Sequence, residues 1–346
     1  RERRLHPGDD AVSGRSFGAA ILGPEGLRLS AEERGFFART DPFGFILFAR
    51  NLDSRAQIRA LTDELRDAVG RDAPIFIDQE GGRVQRLRPP LATEWLPPLD
   101  DVARFGDSAA EAMRLRFLIT ALELRGLGID GNCAPMLDVA RAATHPFLRN
   151  RCYGETPERV AEIGRAVARG LLQGGVLPVI KHLPGHGLAQ LDSHLDLPRI
   201  SAPREELDAV DFAAFRPFHD LPLGMTAHLV FEGLNTAPAT VDPAMIQLIR
   251  EEIGFAGFLM TDDISMQALS GTVPERGAAS LAAGCDCVLH CNGDMAEMAP
   301  LMEVAGRMSA AAQVRAEAAL GARTVPAALD IDALRAEREV LLPESA

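Results

Sequence analysis

Two aspartates stand side by side at the end of an apolar run, Phe258-Leu259-Met260-Thr261-Asp262-Asp263. A carboxylate delivered there is a nucleophile or an acid–base group if it faces a pocket, and a cap for the next helix if it does not. Two in succession suit a division of those jobs, and the pattern leaves open which residue takes which. A second set, Lys181-His182-Leu183-Pro184-Gly185-His186-Gly187, ends another apolar run and continues through Asp192-Ser193-His194 before a helical pattern resumes near Arg204. Residues two apart in extended chain point the same way, so Asp192 can hold the His194 ring. A carboxylate partner orients an imidazole and favours its protonated form, as a general acid near neutral pH requires. The plain alternative is a solvated polar loop. A third set, Asp78-Gln79-Glu80-Gly81-Gly82-Arg83-Val84-Gln85-Arg86, leaves a strand and turns on two glycines. It suits hydrogen bonding to sugar hydroxyls, Asp78 accepting and Arg86 donating; its plain alternative is a glycine turn with a local salt bridge.

His182, His186, His194 and Asp192 are all competent metal ligands. Pro184 and Gly185 break the helix that would set His182 and His186 on one face, so no metal and no other cofactor is expected. Cys285, Cys287 and Cys291 fall in a strand-like pattern and lack the paired Cys-x₂-Cys arms of a zinc site. With Cys133 and Cys152 they make an odd number of cysteines, read as reduced thiols.

The elements that must position these groups alternate regularly. Strand-like runs fall at Phe17–Leu22, Gly44–Phe48, Ile75–Asp78, Gly128–Ala134, Val176–Lys181, Leu223–His228, Gly257–Thr261 and Cys287–His290. Helical patterns cover Ser54–Val69, Ser108–Arg125, Thr156–Gln173, Arg204–Phe215, Pro243–Ile253 and Glu275–Ala283. Eight strands separated by helices predict an α/β fold, a single (β/α)₈ TIM-type barrel spanning residues 17–346 behind a loose arm over residues 1–16. A doubly wound open sheet and a two-domain chain are the rivals. No linker composition divides the chain, which disfavours the second. In a parallel barrel the active site lies at the carboxyl ends of the strands, and there the polar groups gather: Asp78, Lys181-His182, His228, Asp262-Asp263 and His290.

The chain has 346 residues, 47% of them hydrophobic, which is ample for a buried core. A formal net charge of −13 leaves no basic surplus for a nucleic acid. No apolar run is long enough to span a bilayer, and the opening Arg-Glu-Arg-Arg has no apolar signal core, so a cytoplasmic protein with no membrane partner is expected. The absence of an initiator Met leaves the native start open, and nothing here sets the oligomeric state beyond an expected monomer. With one Trp and one Tyr, the chain lacks the aromatic platforms on which long polysaccharides stack, and a pocket gripping one terminal sugar fits better.

Taken in order, the three segments above with Met225-Thr-Ala-His228 and Thr261-Asp-Asp-Ile-Ser-Met266 resemble the bacterial β-N-acetylglucosaminidases of glycoside hydrolase family 3. Gly44-Phe-Ile-Leu-Phe-Ala-Arg-Asn51 is similar to that family as well. The resemblance runs from about Phe17 past Met266. It implies Asp262 as nucleophile and His194 as acid/base in a dyad with Asp192. It also implies Asp78, Arg86, Arg151, Lys181 and His182 as groups that grip the terminal sugar. Arg151 is carried from a segment that departs from the family here, reading Arg151-Cys152-Tyr153-Gly154. Two displacements through a covalent glycosyl-enzyme would then release N-acetylglucosamine with retention. The usual substrate in the family is a muropeptide fragment in which that sugar caps 1,6-anhydro-N-acetylmuramic acid, met in peptidoglycan recycling. The rivals are a family phosphorylase, a β-glucosidase and a non-catalytic sugar-binding barrel.

Overall fold

The computed structural model describes residues 16–189 and 197–343. Eight parallel strands close a barrel in strict chain order: β1 (Gly18–Leu22), β2 (Pro42–Leu47), β3 (Ile75–Ile77), β4 (Gly131–Asn132), β5 (Leu177–Leu183), β6 (Leu223–Thr226), β7 (Phe258–Asp263) and β8 (Cys287–His290). Closure is made by β8 pairing with β1, Val288 beside Ala20. All eight strand-like runs therefore sit in the barrel, as the alternating pattern predicts. β4 contributes only two ladder residues, yet the flanking run from Ile129 to Ala134 is buried throughout, and burial is what its apolar pattern reported.

The connecting helices start where side-chain caps allow. Ser54 accepts from the Gln57 amide at the head of α2 (Arg55–Val69), and Thr156 accepts from the Arg159 amide at the head of α6 (Pro157–Gln173). Ser30 with Glu33, and Thr272 with Glu275, form reciprocal capping boxes that open α1 (Ala31–Thr40) and α9 (Val273–Ala283). Two helices differ from the sequence expectation. α7 is Arg204–Ala209 rather than the full run to Phe215, because Asp211 is drawn inward to Arg141 (2.7 Å) and Arg216 reaches back to Asp208. α8 (Pro243–Gln247) widens into a π turn over Leu248–Glu252.

Six helices among the described residues were not expected, one of them the four-residue α5 (Pro146–Arg149). α1 and α11 (Ala310–Gly321) carry no clear apolar stripe, and Pro300 interrupts α10 (Met295–Ala305). The other two are α3 (Pro98–Phe105) and α12 (Ile331–Val340), and they meet through charge. Buried Asp101 on α3 accepts from Arg116 on α4 (Ala109–Arg125) at 2.6 Å and from Arg338 on α12 at 2.5 Å. Arg338 also donates to the Ala112 carbonyl at 3.1 Å. Leu334 of α12 fills a small cluster with Trp95, Leu115, Leu118 and Ile119. The last helix is thus fastened to the barrel wall by one apolar knob and one buried carboxylate.

Candidate active site

Each strand hands its last side chains to the same rim. Asp78 follows β3, and the chain then folds into a tight hairpin, Gln79–Gly81 against Val84–Gln85. Glycine is required at this turn: Gly81 (φ 108°) has the Arg116 guanidinium where a Cβ would stand, 1.8 Å away, and Gly82 (φ 57°) lies against Pro97. Arg116 also donates to the Glu80 carbonyl at 2.6 Å, so the turn is pinned from behind.

A cavity of about 360 Å³ opens at this rim, and Asp78, Arg86, Arg151, Lys181, His182 and Asp262 all line it. Six of the eight residues expected from the sequence therefore converge. The other two, Asp192 and His194, lie outside the described residues. His228 and His290 end their strands differently. His228 is committed through both ring nitrogens, to Thr240 Oγ1 at 2.8 Å and the Asp263 carbonyl at 3.0 Å. His290 pairs with Glu297 at 2.9 Å.

Three cations of the cavity, Arg86, Arg151 and Lys181, are matched to carboxylates. Asp78 accepts from Arg86 Nη2 at 3.0 Å and Lys181 Nζ at 3.1 Å. Burial alone would raise its pKa, but Lys181 and Arg86 outweigh burial and hold it well below the carboxylate range. Glu80 is fully buried beneath them. It takes Arg151 through both oxygens (2.9 and 2.8 Å) and Lys181 at 2.6 Å. Against the same burial effect, those two cations bring its pKa down to about 2. The pair Asp138–His182 is equally close, Oδ2 to Nδ1 at 2.7 Å, while the other Asp138 oxygen accepts the His186 amide at 2.7 Å.

Of the twin aspartates at the tip of β7, Asp263 is tied to the fold: it accepts from the Ser265 hydroxyl (2.7 Å) and amide (3.0 Å) and from the Cys291 amide (3.2 Å). Among the described residues Asp262 keeps only its neighbour's amide, at 2.8 Å. Burial works against its ionisation, yet His228, His182, that amide and Lys181 together lower its pKa. It is an anion at neutral pH, with few hydrogen bonds to blunt it. His186 lines the same cavity, and its Nδ1 has no hydrogen-bond partner among the described residues. Burial, reinforced by His182, lowers its pKa to about 4. Its ring is neutral.

Glu80 and Asp138 received no role from the sequence. Glu80 lies inside a segment already read as a binding turn, where its acid type beside two cationic positions was the available signal. Asp138 follows β4 by six residues, beyond the apolar run that marks the strand, and no local pattern joins it to His182, 44 residues later. Among the described residues no three metal-ligating side chains come together. All five cysteines are free and buried.

A closed parallel barrel that brings an ionised, sparsely bonded carboxylate to a cavity walled by paired cations and carboxylates defines a barrel glycosidase. The chain belongs to glycosyl hydrolase family 3, whose N-terminal domain matches residues 20–320. A protein named β-hexosaminidase from Alkalilimnicola ehrlichii is 38% identical over 283 residues, covering 80% of this chain and 81% of its own. A family 3 β-N-acetylglucosaminidase from Paenibacillus superposes with a TM-score of 0.78 at 32% identity. That match covers 95% of this chain but 62% of the Paenibacillus protein, so the chain spans about three-fifths of that longer relative. NagZ from Neisseria gonorrhoeae, in complex with N-trifluoroacetyl-D-glucosamine, superposes at 0.77 and 28% identity, covering 94% and 98% of the two chains. The family read from the motifs is therefore the right one, and the protein is a glycoside hydrolase acting on carbohydrate. No helix among the described residues is long and apolar enough to cross a membrane.

Proposed function

We propose that the chain is a retaining exo-β-N-acetylglucosaminidase, with its arm over residues 1–16 and one catalytic domain over 17–346. Asp262 attacks the anomeric carbon, the glycosidic bond breaks, and the departing oxygen takes a proton from His194, which Asp192 orients. Water, giving its proton back to His194, then releases the sugar from Asp262 with retained configuration. Asp78, Arg86, Arg151, Lys181 and His182 hold the sugar's hydroxyl and acetamido groups.

The observation that carries this reading is the state of Asp262, an anion inside a cavity sized for about one sugar and bonded to little else. The remaining carboxylates support it by exclusion. Asp78, Glu80 and Asp138 are held ionised by their partners, and Asp263 is bound to Ser265 and the Cys291 amide. Asp78, Glu80 and Asp138 are therefore unfit to donate a proton at neutral pH, which favours an imidazole acid. The named relatives favour N-acetylglucosamine as the sugar. A natural substrate in which that sugar caps an anhydromuramic acid fragment, met in a cytoplasm where buried thiols stay reduced, completes the proposal.

A fluorinated N-acetylglucosaminyl fluoride that accumulates the covalent intermediate, followed by peptide mass spectrometry, tests the nucleophile. The adduct is expected on the peptide holding Asp262 and is expected to be absent in Asp262→Ala. An adduct on another side chain, or release of a sugar 1-phosphate only when phosphate is present, would overturn the assignment.

A further inference from the structure

Behind the wall that carries His182 stands an ion pair that no reaction step above uses. Asp138, which takes the His182 ring and the His186 amide, belongs to the loop that follows β4. Three residues on, Arg141 reaches across to the region of α7: its Nη2 donates to Asp211 at 2.7 Å and its Nη1 to Glu206 at 2.8 Å. The Arg141 amide donates to the Thr144 hydroxyl at 2.6 Å, and that hydroxyl donates to the Gly187 carbonyl at 2.6 Å. Asp211 is buried and meets the same turn, since a Cβ at Gly185 would stand 2.8 Å from its own, while one at Gly187 would strike the Val139 carbonyl. Leu137 and Val139, on either side of Asp138, pack in one apolar cluster with Leu207 and Phe212. The turn from His182 to Gly187 is therefore supported by the loop after β4, and Arg141 fastens that loop by charge. Arg141, Thr144 and Asp211 do not line the cavity.

Resting on the N-acetylglucosaminidase reading above, we propose that Asp211 is a positioning residue for His182: its charge holds Arg141, and Arg141 holds the loop that brings Asp138 to the imidazole. Asp138 decides which ring nitrogen of His182 carries the proton and where the ring points, so the grip on the sugar depends on that loop. Asp211 is poised between its charged and neutral forms. Burial raises its pKa, Arg141 opposes this, and Asp138 and Glu206 push it up again, to about 6. Once Asp211 is protonated, Arg141 keeps its full attraction only for the partly exposed Glu206, and the loop loses its inner anchor. Sugar binding therefore weakens as pH falls through that value. The anion at Asp262, whose pKa is lowered, and the neutral ring of His186 both persist to lower pH.

The test compares the wild type with Asp211→Asn on an uncharged aryl β-N-acetylglucosaminide, from about pH 4.5 to about pH 8. Above pH 7 the variant is expected to show a KM about tenfold higher, with kcat changed less than about twofold. Its kcat/KM is expected to stay level between about pH 7 and 5, where that of the wild type falls. A merely structural fault lowers the fraction of active enzyme, which cuts kcat and leaves KM alone; that outcome, or an acid limb that does not move, overturns the positioning role. Arg141→Gln and Arg141→Lys answer the same question should Asp211→Asn fail to fold. The first is expected to raise KM about tenfold, and the second, which keeps the cation, no more than about threefold. Equal KM values in those two variants would also overturn the role. A wild type that leaves the aryl glycoside intact overturns the N-acetylglucosaminidase reading first, and the role of Asp211 with it.

Discussion

At the level of single residues, the cavity separates ionised from neutral groups by what stands beside each. Asp262 stays charged because two imidazoles, a backbone amide and Lys181 outweigh its burial. His186, under similar burial and beside His182, has its pKa lowered instead and stays neutral. That has a consequence for stability. In the unfolded chain a histidine takes its proton near pH 6.5, whereas folded His186 does so only near 4. As pH falls between those values the unfolded state binds a proton that the folded state refuses, and stability drains away, by up to roughly 3 kcal/mol. Urea unfolding at steps from pH 7 to pH 4 should show this slope in the wild type and a shallower one in His186→Gln. Equal slopes would remove His186 as the source. Such pairings were only partly legible in sequence. Asp262, Lys181 and His182 announce themselves because polar residues ending apolar runs are unusual. Asp138 does not, because its meaning arises only when β4 and β5 lie side by side and bring it to His182.

Between elements, the same pattern of one carboxylate serving two cations recurs at Asp101, which joins α3, α4 and α12. Arg116 reaches from this centre to the Glu80 carbonyl and fills the space beside Gly81, so the helix contact and the binding turn share a side chain. Replacing Asp101 by Ala leaves two buried guanidinium groups without their counter-charge, which should cost about 3–5 kcal/mol. Chemical denaturation measures this directly, and a loss below 1 kcal/mol would show that the arrangement is ornamental to the fold. The barrel strands were readable because burial on both faces produces continuous apolar runs. Several outer helices were not. α11 is alanine-rich without a stripe, α10 contains a proline, and α12 is fastened by Arg338 and Leu334 rather than by a broad apolar face.

Across the whole molecule, the family match ends at residue 320, and α12 begins at Ile331. This last helix nonetheless covers Trp95, Leu115, Leu118 and Ile119 and completes the Asp101 centre. A chain stopped after Leu329 should therefore lose about 3–5 kcal/mol and bare an apolar patch. Light scattering and thermal unfolding would reveal this as aggregation at a lower transition temperature; an unchanged transition would make the helix dispensable. The ion pairs deep in the cavity carry a further implication. Because Arg86, Arg151 and Lys181 already share Asp78 and Glu80 before any ligand arrives, and Asp262 adds a third negative charge, an incoming sugar meets a surface whose charges sum to almost nothing locally. Hydroxyl and amide groups, which both give and take hydrogen bonds, can slip among such pairs without splitting them. A uronic acid in the same seat would have to pry a guanidinium away from Asp78 or Glu80, and would be turned away at the innermost position.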